Sequence, residues 1–187
     1  MDTKSDNYLV EKILDRDLVH DGKFQLWMDK LQMPDGRIVS KEHLHHPGAV
    51  AILAVNDEGK IAFVKQFRHP INRLTEEIPA GKLDKIPNET PLDAAKRELR
   101  EETGYTSDKM VSLGYIYTSP GVTDEVIYLY FASDLKKSAQ ELDDDEFLSV
   151  EWKNLAEVEK KISVGEITDS KCICAYVRAK LCNLMGK

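Results

Sequence analysis

The sequence predicts an α/β protein: a mixed sheet covered by helices on both faces, an α/β/α sandwich, with a β-hairpin extension at the N-terminus. Three observations lead there. Near-continuous apolar runs at residues 49–55 (AVAILAV) and 61–67 (IAFVKQF) have the composition of strands buried on both faces. A helix with both ends marked follows over residues 91–103. Further strand and helix patterns then complete the chain with no repeat, low-complexity tract or linker between them.

Residues 1–45 form the extension and 46–187 the main domain. Phe24, Leu26 and Met28 alternate with polar neighbours, Pro34-Asp35-Gly36 supplies a turn, and residues 37–45 return as a second strand. A two-stranded hairpin is not stable alone, so it must lie on the main body or on a second subunit. From Gly48 the two apolar runs follow, joined by the turn Asn56-Asp57-Glu58-Gly59, and His69-Pro70 marks a strand exit. Thr90 is placed to cap the helix, Pro91 suits its first position, Asp93 can reach back to the cap, and Gly104 supplies the stop. Leu92, Ala95 and Leu99 share one helical face, which is expected to pack on the sheet. Strands are expected at 110–118, 126–132 and 147–153, and helices at 155–164 and 168–184.

Composition narrows the function classes. A chain of 187 residues with 42% hydrophobic content can bury one core, and no second catalytic domain fits. The net charge of −7 argues against a nucleic-acid partner. A protein this acidic meets phosphates best through a bound cation and a few aimed arginines. The N-terminal MDTKSDNYLVEK has no apolar signal core, and no stretch approaches the roughly 18 apolar residues of a membrane span, so a cytoplasmic protein without a membrane partner is expected. Cys172, Cys174 and Cys182 lack a zinc pattern and are expected to be reduced thiols, mostly buried.

The chemistry concentrates on the helix. Glu98, Glu101 and Glu102 stand at i, i+3 and i+4, where like charges destabilise a helix unless something cationic lies between them. The stripe is expected to face a cleft, and its hard oxygen donors suit Mg²⁺, or Mn²⁺ as a substitute, and not zinc. Arg97 is one helical step off the stripe, pointing away from it, and is expected to hold a carboxylate in place. Arg68, at the end of the second apolar strand, offers a planar fork for phosphate oxygens. Asp143-Asp144-Asp145-Glu146 is an acidic loop ahead of a strand, a composition that is most often solvated coil. His43, His45 and His46 are expected to make surface or dimer contacts.

The run from Glu77 to Asp84 (EIPAGKLD), then Glu89, then RELREETG at 97–104 followed by Tyr105, resembles the Nudix box, the signature of hydrolases that cleave a nucleoside diphosphate linked to another group. Seven residues lie between Gly81 and Glu89, two more than the usual pattern. The added length falls around Ile86-Pro87-Asn88, ahead of the helix, where its entropic cost is small.

The resemblance runs from His46 to Glu146 and implies a Nudix-type sandwich. It also implies a metal set of Ala80 (through its backbone oxygen), Glu98, Glu101, Glu102 and Glu146. Glu146 is implied as the acid that takes a proton from the attacking water, with Asp144 as the second candidate and Glu101 and Arg97 in the catalytic group. Arg68, Glu77 (toward the nucleobase), Pro120 and Asp144 are the implied substrate contacts. Pro120 stands sixteen residues past Gly104 and looks like the mark of the ADP-ribose pyrophosphatase branch. The expected reaction is therefore hydrolysis of ADP-ribose to AMP and ribose 5-phosphate. The alternatives are another nucleotide sugar such as GDP-mannose, or a non-catalytic domain that senses a nucleotide. Relatives exchange the N-terminal segment between subunits, which implies a homodimer.

Overall fold

Leu26, Met28 and their neighbours form a strand, as their alternation predicts. The computed structural model, which describes residues 7–144 and 146–185, sets a further strand in front of it. The three are β1 (Lys12–Asp21), β2 (Gln25–Gln32) and β3 (Ile38–His45), an antiparallel sheet in the order β1-β2-β3. The predicted hairpin is β2–β3, closed where Gly36, at φ 87, donates its N–H to the Met33 carbonyl at 2.9 Å. β1 escaped the period-2 pattern for a physical reason. Its apolar residues come as the adjacent pairs Ile13-Leu14 and Leu18-Val19, its register on β2 shifts beside each pair, and all ten of its residues are exposed.

This sheet and Tyr117–Glu125 make up one compact unit with the rest of the described residues before Pro47; Pro47–Ile116 and the described part of Val126–Lys187 make up the other. Within the first unit Leu44 donates its N–H to Val122 at 2.9 Å, and Asp124 accepts from the His46 N–H at 2.8 Å. The three histidines face carboxylates: His43 faces Asp29 at 3.3 Å, His45 faces Asp124 at 2.6 Å and His46 faces Glu125 at 3.5 Å.

The second unit contains β4 (Ala49–Ala54), β5 (Ile61–Arg68), β6 (Arg73–Glu77), β7 (Ala80–Lys82), α1 (Pro91–Thr103), β8 (Tyr105–Thr106), β9 (Lys109–Tyr117, its last residue belonging to the first unit), β10 (Val126–Ser133), β11 (Lys136–Lys137), β12 (Leu148–Lys153), α2 (Leu155–Ser163) and α3 (Ser170–Leu181). Its four-stranded sheet, β7-β4-β10-β9, is mixed: β4 runs parallel to β10 and antiparallel to β7. A second sheet, β12-β5-β6, is antiparallel, and β8 and β11 form a short ribbon.

β4 explains the layering. All six of its residues are buried and they alternate between two cores. Ala49, Ala51 and Leu53 pack in the core that contains Val158 of α2 and Ala175 and Ala179 of α3. Val50, Ile52 and Ala54 pack in the core that contains Ala94, Ala95 and Leu99 of α1. Each large side chain buried here contributes about 1.5–3 kcal/mol. The sheet is thus covered on both faces, as an α/β/α sandwich requires.

Some details depart from the sequence reading. Leu92 is exposed, and Ala94 joins Ala95 and Leu99 on the buried face of α1. The second apolar run leaves the core at its end, where Phe67 is exposed. β6 and β7 carry too few apolar residues to signal strands; β6, with the sequence RLTEE, is an edge strand whose Leu74 is exposed. A 3-10 turn at His69–Ile71 ends β5 at the expected exit. The three cysteines are free, with Cys172 buried, Cys174 half-buried and Cys182 exposed. Among the described residues no helix is long and apolar enough to cross a membrane.

Candidate active site

α1 is built as its end signals require. The Thr90 hydroxyl accepts from the Asp93 N–H at 3.2 Å and donates to the Asp93 carboxylate at 2.6 Å, while Pro91 occupies the first turn. Gly104, at φ 71, donates its N–H to the Arg100 carbonyl at 2.9 Å. The carbonyls at the C-terminal end, which have no helical donor, are met by the segment after β11. Gln140 Nε2 donates to the Glu102 carbonyl at 2.6 Å, the Glu141 N–H to Glu101 at 3.1 Å and the Ser138 N–H to Gly104 at 2.7 Å.

On this helix two members of the acidic stripe are buried, Glu98 at 6% and Glu102 at 3% exposed, and Glu101 is half-buried. Glu102 Oε2 accepts from the Ala80 N–H at 2.9 Å, and no other hydrogen bond to that carboxylate is formed by described residues. Burial pushes its pKa up to about 8, against the Ala80 N–H and with the help of the Glu98 and Glu146 carboxylates. Burial raises Glu98 as well, with Arg97 opposing. Glu98 packs against Gly81 so closely that a Cβ there would lie 2.0 Å from its carboxyl carbon.

Arg97 was expected to point away from the stripe, and the structure corrects this. Its flexible side chain reaches back, so that Nη1 donates to Glu98 and, at 3.0 Å, to Glu101, while Nε and Nη2 hold both oxygens of Glu89 at 2.9 Å. Burial opposes the Arg97 charge, but Glu89, Glu98 and Glu101 outweigh it and raise the pKa. The longer spacing before the helix is absorbed by a turn, in which Glu89 donates its N–H to the Ile86 carbonyl at 3.2 Å with Asn88 left-handed at φ 62. Pro87 and Asn88 occupy the positions that a type II turn favours for Pro and Asn, so the added residues close locally and Glu89 still meets Arg97.

Lys85 bridges the stripe to the acidic loop, donating to Glu101 at 2.9 Å and to Asp143 at 2.8 and 2.9 Å. Asp143, not Asp144, makes this contact; Asp144 is exposed, and Asp145 lies outside the described residues. Glu146 is half-buried and donates its N–H to the Asp143 carbonyl at 2.9 Å.

A second set of charges surrounds Glu77, which is 4% exposed. Arg68 Nε and Nη2 donate to its two oxygens at 2.8 and 2.7 Å, Thr75 Oγ1 donates at 2.6 Å, and Lys171 Nζ at 2.5 Å. Burial alone would raise this carboxyl group, yet Arg68, Lys171 and Thr75 hold it far below the usual carboxylate range. Arg68 also feels the charges of Glu102 and Asp169. Pro120 belongs to the other unit, in an exposed turn where the Val122 and Thr123 N–H groups donate to the Ser119 carbonyl at 2.9 and 3.0 Å.

The sequence reading missed Lys85, Asp143, Asp169 and Lys171. A signal existed for two of them: Asp169 has the spacing of an N-cap, and Lys171 falls beside the apolar positions Cys172, Ala175, Tyr176 and Ala179 of α3.

Among the described residues no three His, Cys, Asp or Glu side chains are gathered into a metal-binding group. The donor chemistry nevertheless fits a hard divalent cation. Glu98, Glu101, Glu102 and Glu146 are all carboxylates, and Glu102 is raised by burial with the charges of Glu98 and Glu146 adding to it. Here Arg97 and Lys85 supply the compensation for Glu98 and Glu101.

Comparison with known proteins agrees with this architecture. The chain is 43% identical over 177 residues to the ADP-ribose pyrophosphatase of Bacillus subtilis (strain 168), covering 92% of this chain and 95% of that one. It is 41% identical over 168 residues to the methanol dehydrogenase activator of Bacillus methanolicus, covering 88% and 90%. The crystal structure of an ADP compounds hydrolase has the same fold, with a TM-score of 0.80 over 93% of this chain and 94% of that one at 19% identity. A family model described as NUDIX domain matches residues 44–173, a span that takes in Ala80, the whole of α1 and both sets of charges. On that match and the 43% identity, this chain belongs to the Nudix family.

Proposed function

We propose that this protein hydrolyses the diphosphate of ADP-ribose to AMP and ribose 5-phosphate, with Mg²⁺ bound and Mn²⁺ able to substitute. The observation that carries the reading is Glu102: a buried carboxylate with the Ala80 amide for a donor and acidic neighbours beside it, in a chain 43% identical to an ADP-ribose pyrophosphatase. Glu98, Glu101, Glu102, Glu146 and the Ala80 carbonyl oxygen would hold the cation. When bound, it neutralises charge developing on the diphosphate and makes a water easier to deprotonate.

The chain's own groups have distinct tasks. Glu146 takes a proton from the attacking water as that oxygen bonds to phosphorus and the bridging P–O bond breaks; the departing phosphate carries away the electron pair. Arg97, fixed by Glu89, steadies Glu98 and Glu101. Arg68 meets diphosphate oxygens and Glu77 the nucleobase, with Asp144 as a further substrate contact. Residues 1–45 serve dimerisation and 46–187 catalysis. Support for a homodimer comes from β1, an edge strand that exposes Ile13, Leu14, Leu18 and Val19; a monomer by light scattering at working concentration would sink that part.

The test is release of AMP from ADP-ribose with and without Mg²⁺, beside GDP-mannose, with Glu102→Gln as the blank. Metal-dependent release, strongest from ADP-ribose and absent in the blank, is expected. Cleavage of GDP-mannose alone would overturn the substrate. A second reading, action on a partner enzyme, is favoured by the 41% identity to a methanol dehydrogenase activator; stimulation of a dehydrogenase without turnover of any nucleotide would select it. Retention of wild-type turnover by Glu146→Gln would remove Glu146 from the role of base.

A further inference from the structure

Lys171 is a cation in a place where packing alone does not call for one. It is 8% exposed, next to Cys172 and Ala175 on the buried side of α3. Its ammonium group lies 2.5 Å from Glu77 and 2.9 Å from Asp169 Oδ1. The other oxygen of Asp169 accepts from the Cys172 N–H at 3.1 Å and so caps α3. Two anions from different elements therefore fix the lysine, one of them tied to the start of its own helix.

Arg68, the other counter-ion of Glu77, is held differently. It donates to both carboxylate oxygens, yet its side chain is 41% exposed where that of Glu77 is 5% exposed. Glu77 thus has one locked cation and one that an incoming group can reach. A guanidinium pairs with carboxylate and with phosphate through the same two parallel N–H···O bonds, so Arg68 can trade one for the other without losing its fork. The trade would leave Glu77 a buried anion, which is strongly disfavoured unless another cation remains. Lys171 and Thr75 remain.

We propose that Lys171, set by Asp169, is a positioning residue for the nucleotide: it keeps Glu77 in place while Arg68 exchanges that carboxylate for the substrate's diphosphate, opening the Glu77 oxygens to N–H donors of the base. The inference rests on the reading of the chain as a nucleoside diphosphate hydrolase. It makes substrate binding, and not the chemical step, depend on a side chain that never touches substrate.

Steady-state hydrolysis of ADP-ribose by the full chain tests it, with Lys171→Met, Lys171→Arg and Asp169→Asn, the last retaining a good helix cap. Lys171→Met should raise KM about tenfold, the loss of one hydrogen bond to a charged group, with kcat little changed. Lys171→Arg should recover most of the loss, and Asp169→Asn should raise KM less. On an Arg68→Ala background the Lys171→Met effect should shrink, because both act through Glu77. If Lys171→Met fails to fold, Lys171→Met/Glu77→Gln removes the pair together, and its KM should equal that of Glu77→Gln alone. An unchanged KM in Lys171→Met, additive effects with Arg68→Ala, or a higher KM in the double variant than in Glu77→Gln overturns the inference and leaves the hydrolase standing. A wild type that cleaves no nucleoside diphosphate sugar in Mg²⁺ overturns both.

Discussion

Glu102 and Glu77 are two glutamates of one unit, nearly equal in burial, whose carboxyl groups are driven in opposite directions. Glu102 rises to about 8 and Glu77 falls far below its ordinary range. What separates them is the surrounding donors. Glu102 has one amide N–H and acidic neighbours, whereas Glu77 has a guanidinium, an ammonium and a hydroxyl. Burial sets the size of the stakes, and the neighbours set the sign. A buried carboxyl group short of donors and one that already has its cations can therefore be told apart within one protein.

Glu102→Gln gives the contrast its largest test. AMP release from ADP-ribose in Mg²⁺ should fall by about 10³-fold or more, matching the several kcal/mol a bound cation supplies. The metal-free variant should melt no lower than the wild type, because an acid that burial prevents from ionising is replaced by a neutral amide. Glu77→Gln should behave in reverse, losing about 3–5 kcal/mol of stability in urea titration, because Arg68 and Lys171 are left beside a neutral group. If both variants lose stability alike, the distinction between the two glutamates fails.

Gly81→Ala tests the geometry of the acidic side at lower cost to the fold. The new Cβ would force the Glu98 carboxylate aside, and a displacement near 1 Å is expected to lower turnover by about 10²-fold. Circular dichroism should show the secondary structure retained.

The smallest effect is on pH dependence. Between the ordinary carboxyl value of 4.5 and about 8, folded metal-free protein binds more protons at Glu102 than the unfolded chain does, so its Tm should decline as pH rises through that window. Glu77 does the opposite: its contribution is complete above 4.5 and is lost as pH falls below it. Glu102→Gln should flatten the decline between 4.5 and about 8 by about 2–4 °C for each kcal/mol relieved, and leave the loss below 4.5 unchanged.

Much of this was legible because its causes are local in sequence. The ends of α1 follow from Thr90, Pro91 and Gly104, and β4 follows from an unbroken apolar run. The carboxylates were legible as a pattern, but their partners were not. Ala80 meets Glu102 only because the three-residue β7 pairs with β4, and Lys171 meets Glu77 across 94 residues of chain. Arg97 was placed correctly on the helix, but the reach of its side chain was not visible from helical angle alone. β1 was missed because a strand exposed on both faces writes no alternation into its sequence.

The turn over residues 86–89 has a consequence for engineering. Its closing bond, from the Glu89 N–H to the Ile86 carbonyl, spans the added residues, and Ile86, Pro87 and Asn88 are exposed. Chain length there is decoupled from the helix that follows, which makes the Pro87-Asn88 junction a natural graft point for a short tag or fluorophore loop. A reporter at that junction would stand two residues from the anchor of Arg97 while leaving both cores and every carboxylate of α1 covalently untouched.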